Sequence, residues 1–476
     1  MTTIHCGTDS VPKVSTESID ATSDMTRRDW TCVAVCAVVF FLAYALLGLF
    51  RHWRFGTNFD MAIFDQAVWH LSRFEAPAST VRGFDNLFGD HFHPIIALFA
   101  PLYWIWPAAE TLIVAQAMLF AASMVPVFLF LRSRFANGPS IALTVAYGFF
   151  WGLQRAVFAD VHEIAFAPLV IATAILAMDQ RRWLLLCVSA VALMLVKEDL
   201  IPVISFIGIL LALRGRRAMG LAFFVTGVVV FLLAVRVVIP AFGTDFGYTG
   251  AYEAVLRQPW TIPAAIVTPP AKLMTALLWL APFVLLPLFS PLALLLVPFA
   301  LTRLLSDVPQ HFGTTFHYSA PLAPILVMSA GDALHRIATR QRNAQARTRL
   351  VIGFAAATVL LSMFLPGNLP HWNLFKAGHY AIPPLHRAGY EALAQIPPES
   401  SVVAQSAIAP HLTHRQQIFV LQPEAPIDAD FVVANRELNL FPMSDRDELE
   451  RLLEDRRTRG YKTVFDRDGW VVLRRP

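Results

Sequence analysis

Charge is scarce in this chain: Asp, Glu, Lys and Arg make up 15% of its 476 residues, while 56% are hydrophobic. Mean hydropathy is +0.54. A water-soluble protein of that composition would carry more apolar surface than it could hide, so lipid is the solvent for most of the chain. Cysteine is scarce as well. Cys6, Cys32, Cys36 and Cys187 are scattered and no CxxC occurs, which excludes a disulfide framework and a cysteine zinc site. The absence of a glycine-rich phosphate loop, of GxSxG and of any internal repeat leaves nucleotide-driven chemistry without a seat. The formal charge of +4 does not point to nucleic acid, because the arginines sit in short blocks beside apolar segments rather than along one soluble face.

What the chain does have is one apolar run after another between residues 30 and 365, each about 14 to 24 residues long, with basic residues at every second gap. Residues 1 to 29 are polar and end in Arg27-Arg28. They are expected to be a disordered cytoplasmic tail ahead of an uncleaved first span, since no small-x-small site precedes Arg51. Arg132 and Arg134, then Arg181 and Arg182, then Arg214, Arg216 and Arg217, then Arg336 to Arg349 all fall on the cytoplasmic side if residues 94 to 131 cross only once. Splitting that stretch at Pro107 makes 94 to 106 an interfacial helix and 108 to 131 the second span. Later spans follow at 138–156, 163–178, 183–196, 200–213, 218–240, 272–289, 291–305, 318–334 and 350–366, about eleven in all. Ser290-Pro291 is the one join with no arginine to mark its side.

The expected architecture is a mainly α, polytopic transmembrane bundle over residues 30–368 in the plasma membrane, with an outer loop at 51–107. Past Pro366 charge density becomes ordinary, and the runs SVVAQ, QIFVL, DFVVAN, KTVFD and WVVLRR alternate with helix-like stretches. They predict a soluble, extracytoplasmic α/β domain over 369–476, with a hairpin turn at Asp466-Arg467-Asp468-Gly469.

Ionisable residues near hydrocarbon cost about 2.5 to 3.5 kcal/mol on insertion scales and persist where they are paired or used. Here they gather in the outer gaps: Asp60, Asp65, Asp90, His91, His93, Asp160, His162, Glu163, Lys197, Glu198, Asp199, Arg303, Asp307, His311, His317 and Tyr318. Convergence of separate loops on one membrane level points to a site; the plainer alternative is that outer loops are simply wet. Residues 60 to 71 place Ile63, Phe64, Ala67, Val68 and Leu71 on one face of a short interfacial helix, with Asp60 at its start, as an N-cap or as a base. Asp65 lies about 140° round that helix, so the two carboxylates cannot form a side-by-side dyad. Asp90, His91, His93, His162 and Glu163 are ligand types for a divalent ion, although His91 and His93 chelate together only from extended chain. Arg303, Lys197 and Arg236 are the cations available to a phosphate or diphosphate headgroup. Arg303 can instead pair locally with Asp307, and Lys197 with Glu198 or Asp199.

The segments FDMAIFDQAVW, DHFHPIIALFAPLYWIWP, VHEIAFAPL, KEDLIP and HYSAPLAP, with PPESSVVAQ and PHLTHR further on, resemble a prokaryotic family of predicted polytopic membrane proteins. That family in turn resembles, more distantly, membrane-embedded glycosyltransferases with a lipid-phosphate sugar donor, of the protein mannosyltransferase and aminoarabinose transferase type. The resemblance implies a glycosyltransferase-C-like fold, a polyprenyl-phosphate-linked sugar donor and an acceptor of unstated kind. By position it implies Asp60 as the base for the acceptor, with Asp160 or Glu163 supporting the acceptor or a metal. Asp65, His91, His93, His162, Lys197, Arg303, His317 and Tyr318 would face substrate. Phe59-Asp60 and Lys197-Glu198-Asp199 depart from the acidic pair and the Lys-Gly-Pro turn of those enzymes. Two other readings stand beside transfer: a transporter or flippase, and an envelope scaffold without catalysis.

Overall fold

The computed structural model describes residues 25–243 and 247–476; the expected disordered tail up to residue 24, and Cys6 with it, lies outside the described residues. The first helix, Arg27–Trp53, starts at a capping box: Asp29 N–H donates to Thr26 Oγ1 (3.2 Å) and Thr26 N–H donates to the Asp29 carboxylate (2.9 Å). The same carboxylate accepts from Arg132 Nε (3.1 Å) and Asn137 Nδ2 (2.5 Å), tying the start of the first helix to the end of Glu110–Arg132. Arg134 pairs with Asp179 (2.7 Å) and lies 3.7 Å from Asp332, which also takes Arg336 (3.1 Å). Several of the arginine gaps thus meet at one end of the bundle. Ser290 belongs there too: its hydroxyl donates to Asp332 (2.7 Å), and Arg336 donates to the Phe289 carbonyl (2.6 Å). The join that lacks an arginine of its own borrows one from a later helix.

Each expected span coincides with helix, but not always with an unbroken one. Among the described residues, Arg27–Trp53, Glu110–Arg132, Arg217–Phe242 and Ala344–Phe364 are long and apolar enough to cross a membrane singly. Two bent pairs add to these, Asn137–Gly148 with Trp151–Phe158 (41°) and Pro259–Val267 with Pro270–Phe283 (65°), making up to six. The remaining segments are shorter, such as Trp183–Val196, or begin as 3-10 turns at prolines, as at Pro94–Phe99 and Pro291–Leu296. The span expected at 272–289 breaks at Val284 and Leu285, both in the left-handed region (φ 48° and 60°). Hydropathy registers none of these breaks, because the residues at which the helices break, such as Val284 and Leu285, are themselves apolar.

Every β-rich run of the C-terminal region is a strand: β1 Val402–Ala404, β2 Ile418–Val420, β3 Phe431–Asn435, β4 Lys462–Arg467 and β5 Trp470–Arg474. They form one sheet in the order β2-β1-β3-β5-β4, with β1 parallel to β2 and β3, and β5 antiparallel to β3 and β4. Asp468 and Gly469, both at positive φ, close the β4–β5 hairpin where expected. Strand alternation gives the sheet two apolar faces. Val403, Val432, Val471 and Leu473 pack on Leu449 and Leu453 of helix Arg446–Thr458, while Val402, Ala404, Val433 and Val472 pack on Ala388, Phe55 and Ala62. Phe55 and Ala62 come from the loop after the first helix, so one face of the sheet rests directly on the bundle.

That contact corrects the expected interfacial helix. Phe59–Ser72 is helical, but Met61 to Val68 are all buried, Asp65 and Gln66 included. Its apolar face meets the bundle and its polar face meets the C-terminal sheet. Its N-cap is Asn58, not Asp60, which sits in the first turn.

Candidate active site

The end of the bundle opposite the arginine cluster holds the acidic and histidine-rich loops. Asp60 Oδ2 lies 3.5 Å from His162 Nε2. The His162 ring lies against that of His317, with centroids 3.6 Å apart and planes tilted by 34°, and His317 lies against Tyr318 at 4.3 Å. Glu163 pairs with Lys197 (2.9 Å), and Glu198 accepts from His91 (2.6 Å) and from the Phe92 N–H (2.9 Å). Asp160 accepts from Arg51 Nη1 (2.5 Å) and from the N–H of Asn58 (3.0 Å), which precedes Asp60 by two residues. Loops from five separate stretches of sequence therefore meet.

Exposure falls steeply across this cluster. The Asp60 side chain is 32% exposed, whereas those of His162, Asp160, Glu163 and Glu198 are 8% or less. Asp60 is the carboxylate that a substrate can reach, with a buried charged wall behind it. Asp160 sits at φ +88°, a conformation costly for a residue with a Cβ, and is held there by Arg51 and the Asn58 amide. Both nitrogens of His93 and of His317 are buried without a hydrogen-bond partner, as is Asp199 Oδ1. Unsatisfied polar atoms of this kind gather at functional sites.

Electrostatics follow burial first and neighbours second. Burial pushes His93 down to about 4 and, with His162 beside it, holds His317 well below the ordinary histidine value. Burial lifts Asp199 to about 6 against the pull of Lys197. Burial alone would lower Lys197, but Glu163, Asp199 and Glu198 outweigh it and keep the ammonium protonated. Burial also works against a proton on His162, yet the hydrogen bond and charge of Asp60 raise it above its ordinary value. Of the two adjoining imidazoles, His162 is thus the one that carries charge. Folding raises the His162 pKa from 6.5, so its contribution to stability is complete below about pH 6.5 and is lost as pH rises through the raised value. Thermal melts of the wild type and His162→Gln should accordingly converge as pH is raised above 6.5. A gap that stays constant with pH would remove the Asp60–His162 ion pair.

Several expected site residues are placed elsewhere. Asp65 is fully buried and accepts from Tyr103 and Thr413 hydroxyls, with His414 Nε2 at 3.2 Å. With Gln66, which donates to the Arg415 carbonyl (3.2 Å), it fastens the loop helix to the C-terminal domain and does not face the cluster. Arg303 donates to the His311 and Gly313 carbonyls (2.7 Å each) and to Ser319 Oγ (2.5 Å), beneath Trp279. It shapes the 311–319 turn and makes no pair with Asp307, and each of its three nitrogens already donates within that turn. Arg236 is exposed on Arg217–Phe242, within its π-helical turn. Lys197 reaches Glu163 rather than its chain neighbours because Glu163 is fully buried and needs a counter-charge. Asp90 pairs with Arg82 (3.0 Å), His91 with Glu198 and Glu163 with Lys197. The five candidate metal ligands do not converge, and among the described residues no group of three or more His, Cys, Asp or Glu is arranged to hold an ion. Arg51 and Asn58 were not singled out in the sequence; the signal for Arg51 is that it is an arginine at the acidic end, against the trend of the others.

The model of the family described as "Predicted membrane protein (DUF2079)" matches residues 51–472. The chain belongs to that family. No curated protein matches it. Among solved structures, ArnT from Cupriavidus metallidurans bound to undecaprenyl phosphate is 14% identical with a TM-score of 0.52, covering 92% of this chain and 97% of that one. The apo state of the same protein gives 13% identity and a TM-score of 0.53, covering 92% and 98%. At such identity the likeness establishes the fold, which is the glycosyltransferase-C type expected from the sequence.

Proposed function

We propose that this family member is an inverting glycosyltransferase that takes a sugar from a polyprenyl-phosphate carrier at the extracytoplasmic face, the C-terminal domain lying on that side. The observation that carries the reading is Asp60: the accessible carboxylate of an otherwise buried cluster, 3.5 Å from His162, on the loop after the first helix. Asp60 accepts the proton of the acceptor hydroxyl as its oxygen bonds to the anomeric carbon, and the bond from that carbon to phosphate oxygen breaks. Polyprenyl phosphate leaves, and configuration inverts. His162 fixes the Asp60 carboxylate, and Arg51 with the Asn58 amide fixes Asp160 behind it. Lys197, held protonated by Glu163, is the cation that faces the charge developing on phosphate. A lipid-borne donor agrees with the lack of a nucleotide loop and with the undecaprenyl phosphate bound by ArnT.

Purified full-length protein in proteoliposomes, given polyprenyl-phosphate sugars with a panel of hydroxylated acceptors, should release polyprenyl phosphate and form a glycoside of inverted configuration. Nucleotide sugars should give none. If no polyprenyl-phosphate sugar is consumed by well-folded protein with any acceptor, the transferase reading fails.

A further inference from the structure

Away from the Asp60 cluster, the first helix carries a second pattern. Thr31, Cys32, Val35, Cys36, Val39, Ala43 and Leu47 recur at three- and four-residue spacing and so form one stripe. With Phe40 and Tyr44 of the same helix, the stripe lines a cavity of about 670 Å³ closed by Ile141, Phe149 and Phe375. From Thr31 to Leu47 the groove follows about 24 Å of helix, most of the thickness of a hydrocarbon layer. Its walls are almost wholly apolar.

The stripe continues one turn further to Arg51 and then Arg54, and there the lining changes character. Arg51, Arg54, Lys376, His379 and His386 border a cavity of about 480 Å³ together with Asn373, and among the described residues no carboxylate lines it. Arg51 is neutralised by Asp160. Arg54 Nε is buried without a partner, and Lys376 Nζ donates only to Asn373 Oδ1 (3.2 Å). His379 and His386 are 6% and 8% exposed, and each keeps a buried ring nitrogen, Nε2 and Nδ1 respectively, with no partner. Leu374 and Phe375 line the groove and Asn373 and Lys376 line the basic pocket, so successive residues of one segment serve both.

From this we infer that the groove and pocket together form a binding site for a lipid with a phosphate headgroup, its tail along the first helix and its phosphate on Arg54, Lys376, His379 and His386. Charge complementarity selects the headgroup: two cations and two imidazoles with free nitrogens face no acid, and a phosphate offers several acceptor oxygens at once. The apolar groove selects a lipid over a free phosphate. The site is separate from the Asp60 cluster and does not depend on the transferase reading. Arg51, which borders the pocket and holds Asp160, is the one side chain common to both.

The test is direct binding, read by native mass spectrometry of full-length protein in detergent with undecaprenyl phosphate, the phosphate-free polyprenol undecaprenol, and inorganic phosphate as separate probes. The wild type should retain undecaprenyl phosphate at least ten-fold better than the phosphate-free polyprenol. Arg54→Gln with Lys376→Gln, and independently Val39→Trp in the groove, should each lower that retention ten-fold or more. Retention indifferent to both sets of changes, or equal for the phosphate-free lipid, overturns the site. Binding of inorganic phosphate as tight as that of the lipid overturns the role of the groove. Melting curves of each variant check the fold, and if the double variant does not survive purification, Val39→Trp alone carries the comparison.

Discussion

Asp60→Asn should lower sugar transfer by about 10²- to 10⁴-fold, the usual worth of a positioned general base, and leave insertion and folding intact. The carboxamide keeps the size of the side chain and an oxygen for His162, but it cannot take the proton of the acceptor. Three features make the expectation specific to this residue. Asp60 is about a third exposed, its partner His162 is 3.5 Å away, and Asp160, Glu163 and Glu198 are spent on Arg51, Lys197 and His91. If Asp60 acts as a base, the loss appears in kcat more than in KM. Equal transfer by the variant and the wild type would take the base away from Asp60, whatever else the protein does. Asp65→Asn is the internal contrast: its carboxylate is buried against Tyr103, Thr413 and His414, so its loss should loosen the C-terminal domain before it touches chemistry.

Lys197→Met should destabilise the fold by about 3 to 5 kcal/mol, because it strands a fully buried Glu163 without its counter-charge. His93, His162 and His91 are the remaining neighbours able to compensate, and His93, lowered by burial, is a poor one. The double variant Lys197→Met with Glu163→Gln removes both charges and should recover most of the loss, since replacing a buried pair costs far less than breaking it. Thermal melts in detergent of the two single variants and the double variant complete the cycle. Additive losses would mean that the two side chains do not interact, and the 2.9 Å contact would then have no energetic content. The same variant bears on function: with Lys197 removed and stability restored in the double variant, transfer should stay low if Lys197 also serves the departing phosphate.

Much of this molecule was legible from residue pattern because the patterns obey local rules. Apolar runs of span length, the arginine blocks at alternate gaps, five short β-rich runs and an Asp-Gly hairpin each depend on chain within a few residues of themselves, and each reappears as helix, clustered bundle end, strand or turn. The gathering of acids and histidines in the other gaps was legible for the same reason. Residue roles within that gathering were not. Asp60 and Asp65 stand five residues apart on one helix with the same chemistry, and what separates them is Thr413 and His414, nearly 350 residues onward, which claim Asp65 and leave Asp60. Arg303 looked like a phosphate ligand until the 311–319 turn folded back and supplied it with carbonyls.

Composition and periodicity, then, determined by themselves the solvent, the class of fold and the level at which polar groups collect, since burying apolar surface and sorting positive charge are properties of short segments. Tertiary structure alone decided which carboxylate stays exposed, which cation is already satisfied and which apolar stripe ends in an unclaimed basic pocket. Those outcomes depend on pairings between distant loops, and a buried charge has whatever role its nearest partner leaves it.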